Sequence, residues 1–96
     1  MNDFQIAQAG TLESNDIQIT LSPAPQGSGI QIELTSSVLV QYGDLIRQTI
    51  HDTILQQHVT DFLVKAHDRG ALDCTIKART LAALGRSGVT LQEVEK

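Results

Sequence analysis

The chain has 96 residues, a net charge of −4 and only three aromatic residues, Phe4, Tyr42 and Phe62. Its few Lys and Arg form no cluster, and the shortage of aromatic platforms leaves little for base stacking, so the composition argues against a nucleic-acid partner. A chain this short reads as a single domain over residues 1–96, whose core must be built from Ile, Leu, Val and Ala.

In chain order, residues 5–12 and 17–21 read as two strands. Ile17, Ile19 and Leu21 alternate with Gln18 and Thr20, the period of a half-buried strand. Between them Ser14, Asn15 and Asp16 supply turn chemistry, because Asn and Asp side chains bond local backbone and tolerate left-handed dihedrals. The pattern predicts a hairpin with the Ser14 hydroxyl at its tip. A third strand spans residues 30–35, with Ile30, Ile32 and Leu34 on one face. The Pro- and Gly-containing segment 23–29 before it predicts an exposed, mobile loop.

From residue 38 the period becomes helical, and a helix is expected over about 38–57. Tyr42, Leu45, Ile46, Thr49, Ile50, Thr53 and Ile54 make its apolar stripe. Ser36 or Ser37 can cap it, and Gly43 either permits a close contact or marks a later start nearer Asp44. Residues 62–67 read as a strand, with a turn at Asp68-Arg69-Gly70. Leu72, Cys74, Ile76 and Ala78 alternate with polar residues, which favours a strand over 71–78 and a short helix over 79–86. A single helix from Ala71 onward remains open, since Ala, Leu and Arg favour it. Cys74 is then expected to face inward, and residues 92–96 to fray. The fold class expected is α+β: an antiparallel sheet made of the N-terminal hairpin plus further strands, packed by one long helix and a short C-terminal helix.

A serine triad lacks the Gly-x-Ser-x-Gly elbow and any base directed to the turn. His51 and His58 lie seven apart, not the four usual for paired ligands on a helix, and no Cys-x-x-Cys is present, so no metal site is expected. Asp44 with Arg47, and Arg47 with His51, have the spacing of surface pairs. Lys65, Lys77 and Arg79 could converge on one sheet face, or simply line a polar surface. No apolar run approaches the roughly 18 residues of a spanning helix. Residues 1–5 lack a secretory n-region and h-region, and Cys74 stands alone; both favour a soluble, cytoplasmic protein with no membrane partner. A hydroxyl on a turn without a base is poorly set up to catalyse. It is well set up to be modified.

Three stretches together carry a resemblance: Ala9-Gly10-Thr11-Leu12-Glu13-Ser14-Asn15-Asp16, Gln41-Tyr42-Gly43-Asp44-Leu45-Ile46-Arg47, and Asp68-Arg69-Gly70-Ala71-Leu72-Asp73-Cys74 running on to Ala78-Arg79. In this order the chain resembles the citrate lyase acyl carrier protein, the gamma subunit of that lyase. The resemblance implies a carrier with no catalytic residues, modified at Ser14 through a phosphodiester to phosphoribosyl-dephospho-CoA by a dedicated synthase. It implies acetyl and citryl thioesters carried between an alpha subunit, which exchanges acetyl for citrate, and a beta subunit, which cleaves citryl-carrier to oxaloacetate. Neutral variants at Glu13 or Asp16 are expected to weaken synthase recognition at most. Two alternatives remain: the acyl carrier of malonate decarboxylase, with a related Ser-x-Asp turn, and an unmodified α+β interaction module. All-helical acyl carriers place their serine in Asp-Ser-Leu, and this chain has no Asp-Ser pair.

Overall fold

Among the described residues, four strands and two helices fold so that each strand turns one face to the same core. A computed structural model describes residues 4–36 and 39–92. The elements are β1 (Ala7–Ala9), β2 (Ile17–Pro23), β3 (Ile30–Ser36), α1 (Leu39–Gln56), β4 (Phe62–Asp68) and α2 (Asp73–Ser87). The sheet order is β1-β2-β4-β3. β1 pairs antiparallel with β2, and β2 antiparallel with β4, but β3 and β4 run parallel. The α+β class holds; the all-antiparallel sheet does not. α1 causes the difference, because its length carries the chain back to the end where β3 began, and β4 must then run in the same direction. β4 inserts between β2 and β3, so residues 24–29 bridge two strand spacings, about 10 Å. Asp61 ties that loop down: its Oδ1 accepts the amides of Gly27 at 3.1 Å and Gly29 at 2.9 Å.

The register sets inner-face rows across the sheet. Ile19 faces Ala66 and Leu34, and Leu21 faces Val64 and Ile32. Both helices cover this face, adding Ile46, Ile50 and Ile54 from α1 and Ile76, Ala83 and Leu84 from α2. The opposite face carries Gln18, His67 and Thr35 in one row and Thr20, Lys65 and Glu33 in the next. Among the described residues both helices lie on the other face, and Glu33, Thr35, Lys65 and His67 are exposed. Phe4 stacks on Phe62 with centroids 5.6 Å apart, which anchors the start of the described chain to the core.

α1 begins at Leu39, so Gly43 lies inside the helix and is buried. Ser36 ends β3, and a cap at Ser37 lies outside the described residues. The stripe is narrower than its periodicity suggests: Ile46, Thr49, Ile50, Thr53 and Ile54 are buried, while Tyr42 and Leu45 are each about half exposed. The larger correction concerns residues 71–78. They open a helix, and the buried set in α2 is Ile76, Thr80, Ala83, Leu84 and Ser87. That spacing is helical, but three of its members are small or polar, so its hydrophobic signal is weak. The alternation at Leu72, Cys74 and Ala78 is incidental, because all three are exposed. Cys74 therefore lies outward, against expectation. Gly88 ends α2 at φ 111°, which lets the Val89 amide reach the Leu84 carbonyl at 3.1 Å. Gln92 is held to buried Gln57 by bonds of 2.6 and 3.1 Å; residues 93–96 lie outside the described residues.

Candidate functional site

The β1–β2 connection presents Ser14. β1 stops at Ala9 because Gly10 adopts φ +87° with its α-carbon pressed against β2; a β-carbon there would stand 1.8 Å from the Ile17 carbonyl oxygen. Only glycine fits this close approach. The turn proper spans residues 13–16, closed by the Asp16 amide donating to the Glu13 carbonyl at 3.2 Å. Asn15 sits third in this turn at φ 67°, the left-handed position of a type II turn. Ser14 therefore occupies the leading corner, exposed to solvent, with its neighbours making the hydrogen bonds that shape the turn.

Asp16 fixes the neck below that corner. Its Oδ1 accepts the Ile17 amide at 2.7 Å and Arg79 Nε at 3.0 Å. Its Oδ2 accepts the Thr11 amide at 3.1 Å, the Thr11 hydroxyl at 2.7 Å and Arg79 Nη2 at 3.0 Å. One buried carboxylate thus joins both sides of the hairpin to α2. The Arg79 guanidinium, and after it the Thr11 hydroxyl, hold the Asp16 carboxyl down to about 2. Thr11 Oγ1 also accepts the Glu13 amide at 3.2 Å.

A second support comes from the end of β4. Asn15 donates its amide to the Arg69 carbonyl at 2.7 Å, and Arg69 donates its amide to the Asp16 carbonyl at 2.8 Å. Arg69 Nη1 donates to the Leu12 carbonyl at 3.0 Å. Asp68 holds this segment from inside the sheet, where its carboxylate accepts the Gly70 and Ala71 amides and the Ser36 hydroxyl.

The structure brings no histidine to Ser14 by a hydrogen bond. His67 lies on the outer sheet face opposite Gln18, and His51 lies 3.5 Å from Asp52 on α1. Among the described residues no group of three His, Cys, Asp or Glu could hold a metal ion. Asp44 and Arg47 pair at 3.5 Å on the surface, as their spacing predicts. Lys65, Lys77 and Arg79 do not converge: Lys65 stands between Thr20 and Glu33, Lys77 is exposed on α2, and Arg79 serves Asp16. Sequence reasoning missed the Asp16–Arg79 pair, whose members are 63 positions apart. The available signal was helical: Arg79 follows Ile76 by three residues and precedes Thr80, at the margin of the α2 buried stripe.

The family model described as "Malonate decarboxylase delta subunit (MdcD)", an acyl carrier protein family, matches residues 5–87. The citrate lyase acyl carrier protein of Lacticaseibacillus casei (strain BL23) is 57% identical over 84% of this chain and 78% of that protein. The chain belongs to the citrate lyase acyl carrier protein family. Its citrate lyase carrier relatives include that of Streptococcus uberis, 53% identical over 91% of this chain and 84% of that protein. That of Latilactobacillus sakei subsp. sakei is 48% identical over 96% and 93%. The fold is shared with a chain in the crystal structure of a Pseudomonas malonate decarboxylase hetero-tetramer in complex with malonate. The TM-score is 0.77, with 21% identity over 90% of this chain and 87% of that one. Acyl carriage is thus the role of the family. Among the described residues no helix is long and apolar enough to cross a membrane.

Proposed function

We propose that residues 1–96 form one carrier domain of a cytoplasmic citrate lyase. Ser14 is its attachment point, joined through a phosphodiester to phosphoribosyl-dephospho-CoA. The observation that carries this reading is the exposed corner position of the Ser14 hydroxyl on a turn anchored from two sides. The site fits such a group: a phosphodiester on an outward hydroxyl displaces no core atom, and the bonds of the neck below it are made by Thr11, Asp16, Ile17 and Arg79 without the Ser14 hydroxyl. When bound, the group supplies a terminal thiol that carries acetyl and citryl as thioesters. The chain itself contributes an oxygen nucleophile. The Ser14 oxygen attacks phosphorus of a phosphoanhydride donor of the group; the anhydride P–O bond breaks and its phosphate portion leaves. A base of the synthase takes the Ser14 proton, since among the described residues no base is hydrogen-bonded there. Thereafter the chain supplies a small rigid body that raises the effective concentration of the acyl group at each catalytic subunit. The partners on this reading are the alpha and beta subunits and the synthase.

A carrier of malonate decarboxylase is the second reading, favoured by the description of the matching family model. Identity of 48–57% to citrate lyase carriers favours the first. The complex assembled from modified carrier and the catalytic subunits of each system separates them. Citrate cleavage with the lyase subunits and none of malonate decarboxylation with the other set is the expected result. Ser14→Ala should abolish the cleavage, because no thiol remains to carry the acyl group.

A further inference from the structure

The Asp68-Arg69-Gly70 stretch carries part of the family resemblance, yet carriage of an acyl group gives it no task. Its geometry does. Arg69 is bonded to three residues of the Ser14 loop: its amide to Asp16, its carbonyl to Asn15 and its Nη1 to Leu12. These partners bracket Ser14 on both sides. The segment is itself fixed, because the Asp68 carboxylate, only 1% exposed, accepts the two amides that follow Arg69.

The charges around the corner divide clearly. Arg79 spends two donors on Asp16, and Asp16 is fully engaged in return. Asp68 points inward to Ser36, Gly70 and Ala71. Glu13 is exposed next to Ser14 and would repel an anion there. Arg69 is exposed, and the Leu12 carbonyl takes a single donor of its five. Arg79 also keeps further donors, but the Asp16 carboxylate offsets its charge; among the described residues Arg69 is the guanidinium bonded to this turn whose charge no carboxylate offsets.

Resting on the proposed attachment at Ser14, we infer that Arg69 is the phosphate-binding residue of the modified carrier. Its remaining N–H groups bond the non-bridging oxygens of the Ser14 phosphodiester. The planar fork of arginine suits two oxygens of one phosphate, where a lysine offers only a point charge. The contact offsets the Glu13 carboxylate and holds the first bond of the arm in one direction, outward from the hairpin tip. Arg69 thereby acts as a positioning residue.

The test compares unmodified and modified wild-type protein, 15N-labelled and made without and with the synthase, with the adduct mapped by mass. The Arg69 Nε–H resonance, assigned by its loss in Arg69→Lys, should shift on modification, while that of Arg47 on α1 should not. The 31P resonance of the diester should differ between wild type and Arg69→Gln, and the wild-type signal should move toward the variant's as salt is raised. An Arg69 resonance identical in both wild-type forms, with the adduct mapped to Ser14, overturns the inference and leaves the attachment reading intact. An adduct mapped elsewhere overturns both. Should Arg69→Gln escape modification, the wild-type pair decides the question without it.

Discussion

Asp16 shows how one side chain can determine what another does. It lies two residues from Ser14, yet its carboxylate is occupied with Thr11, Ile17 and Arg79 rather than with a partner. The expectation that a neutral residue at 16 would affect recognition alone therefore changes. Asp16→Asn turns an amide donor toward Arg79 and should cost about 1–3 kcal/mol of stability, measured by urea unfolding at neutral pH. The pH dependence has a definite sign. The folded carboxyl titrates near 2, against about 3.9 in an unfolded chain, so its stabilisation is complete above about pH 4. It is lost as pH falls through 2, and the gap between wild type and Asp16→Asn should close over that range. A constant gap would mean that the ion pair contributes nothing. Ser14→Ala, by contrast, removes an exposed hydroxyl from a turn corner and should change stability by less than about 0.5 kcal/mol.

Among the elements, the hairpin neck is the least tolerant. Gly10→Ala forces a β-carbon into the Ile17 carbonyl at a positive φ, and should destabilise by more than about 2 kcal/mol. Ile50 is fully buried under the sheet, and Ile50→Ala should lose about 2–5 kcal/mol; a loss below 0.5 kcal/mol would contradict the packing of α1. Cys74, exposed on the first turn of α2, should label with a bulky maleimide in the native protein. Failure to label before unfolding would place it inside after all. β2, β3, β4 and α1 were legible because most of their inward apolar residues are large and keep a regular period. The strand expected over 5–12, by contrast, is only Ala7–Ala9, whose inward residues are small and which Gly10 ends. The start of α2 was not legible, because within 73–79 only Ile76 is buried, too little to mark a helical period. At 71–78 an accidental alternation was the stronger local pattern, and tertiary packing overrode it.

For the whole molecule, the sheet order was hidden for a different reason. Nothing local distinguishes a β4 added at an edge from one inserted between β2 and β3; the choice depends on where α1 delivers the chain. The exposed serine was readable from turn chemistry and family resemblance, but the two supports that fix it were not. Arg79 and Arg69 reach the turn only after α2 and β4 have packed, across 63 and 57 positions of sequence. The hairpin tip is therefore held by the rest of the fold and open at one hydroxyl, which on the proposed function alone carries the acyl arm. Peptide mapping by mass spectrometry of protein co-expressed with the synthase should find one adduct, of the mass of the phosphoribosyl-dephospho-CoA group, on Ser14, and unmodified mass for a folded Ser14→Ala. An adduct on any other residue, or a modified Ser14→Ala, would contradict attachment at this hydroxyl alone.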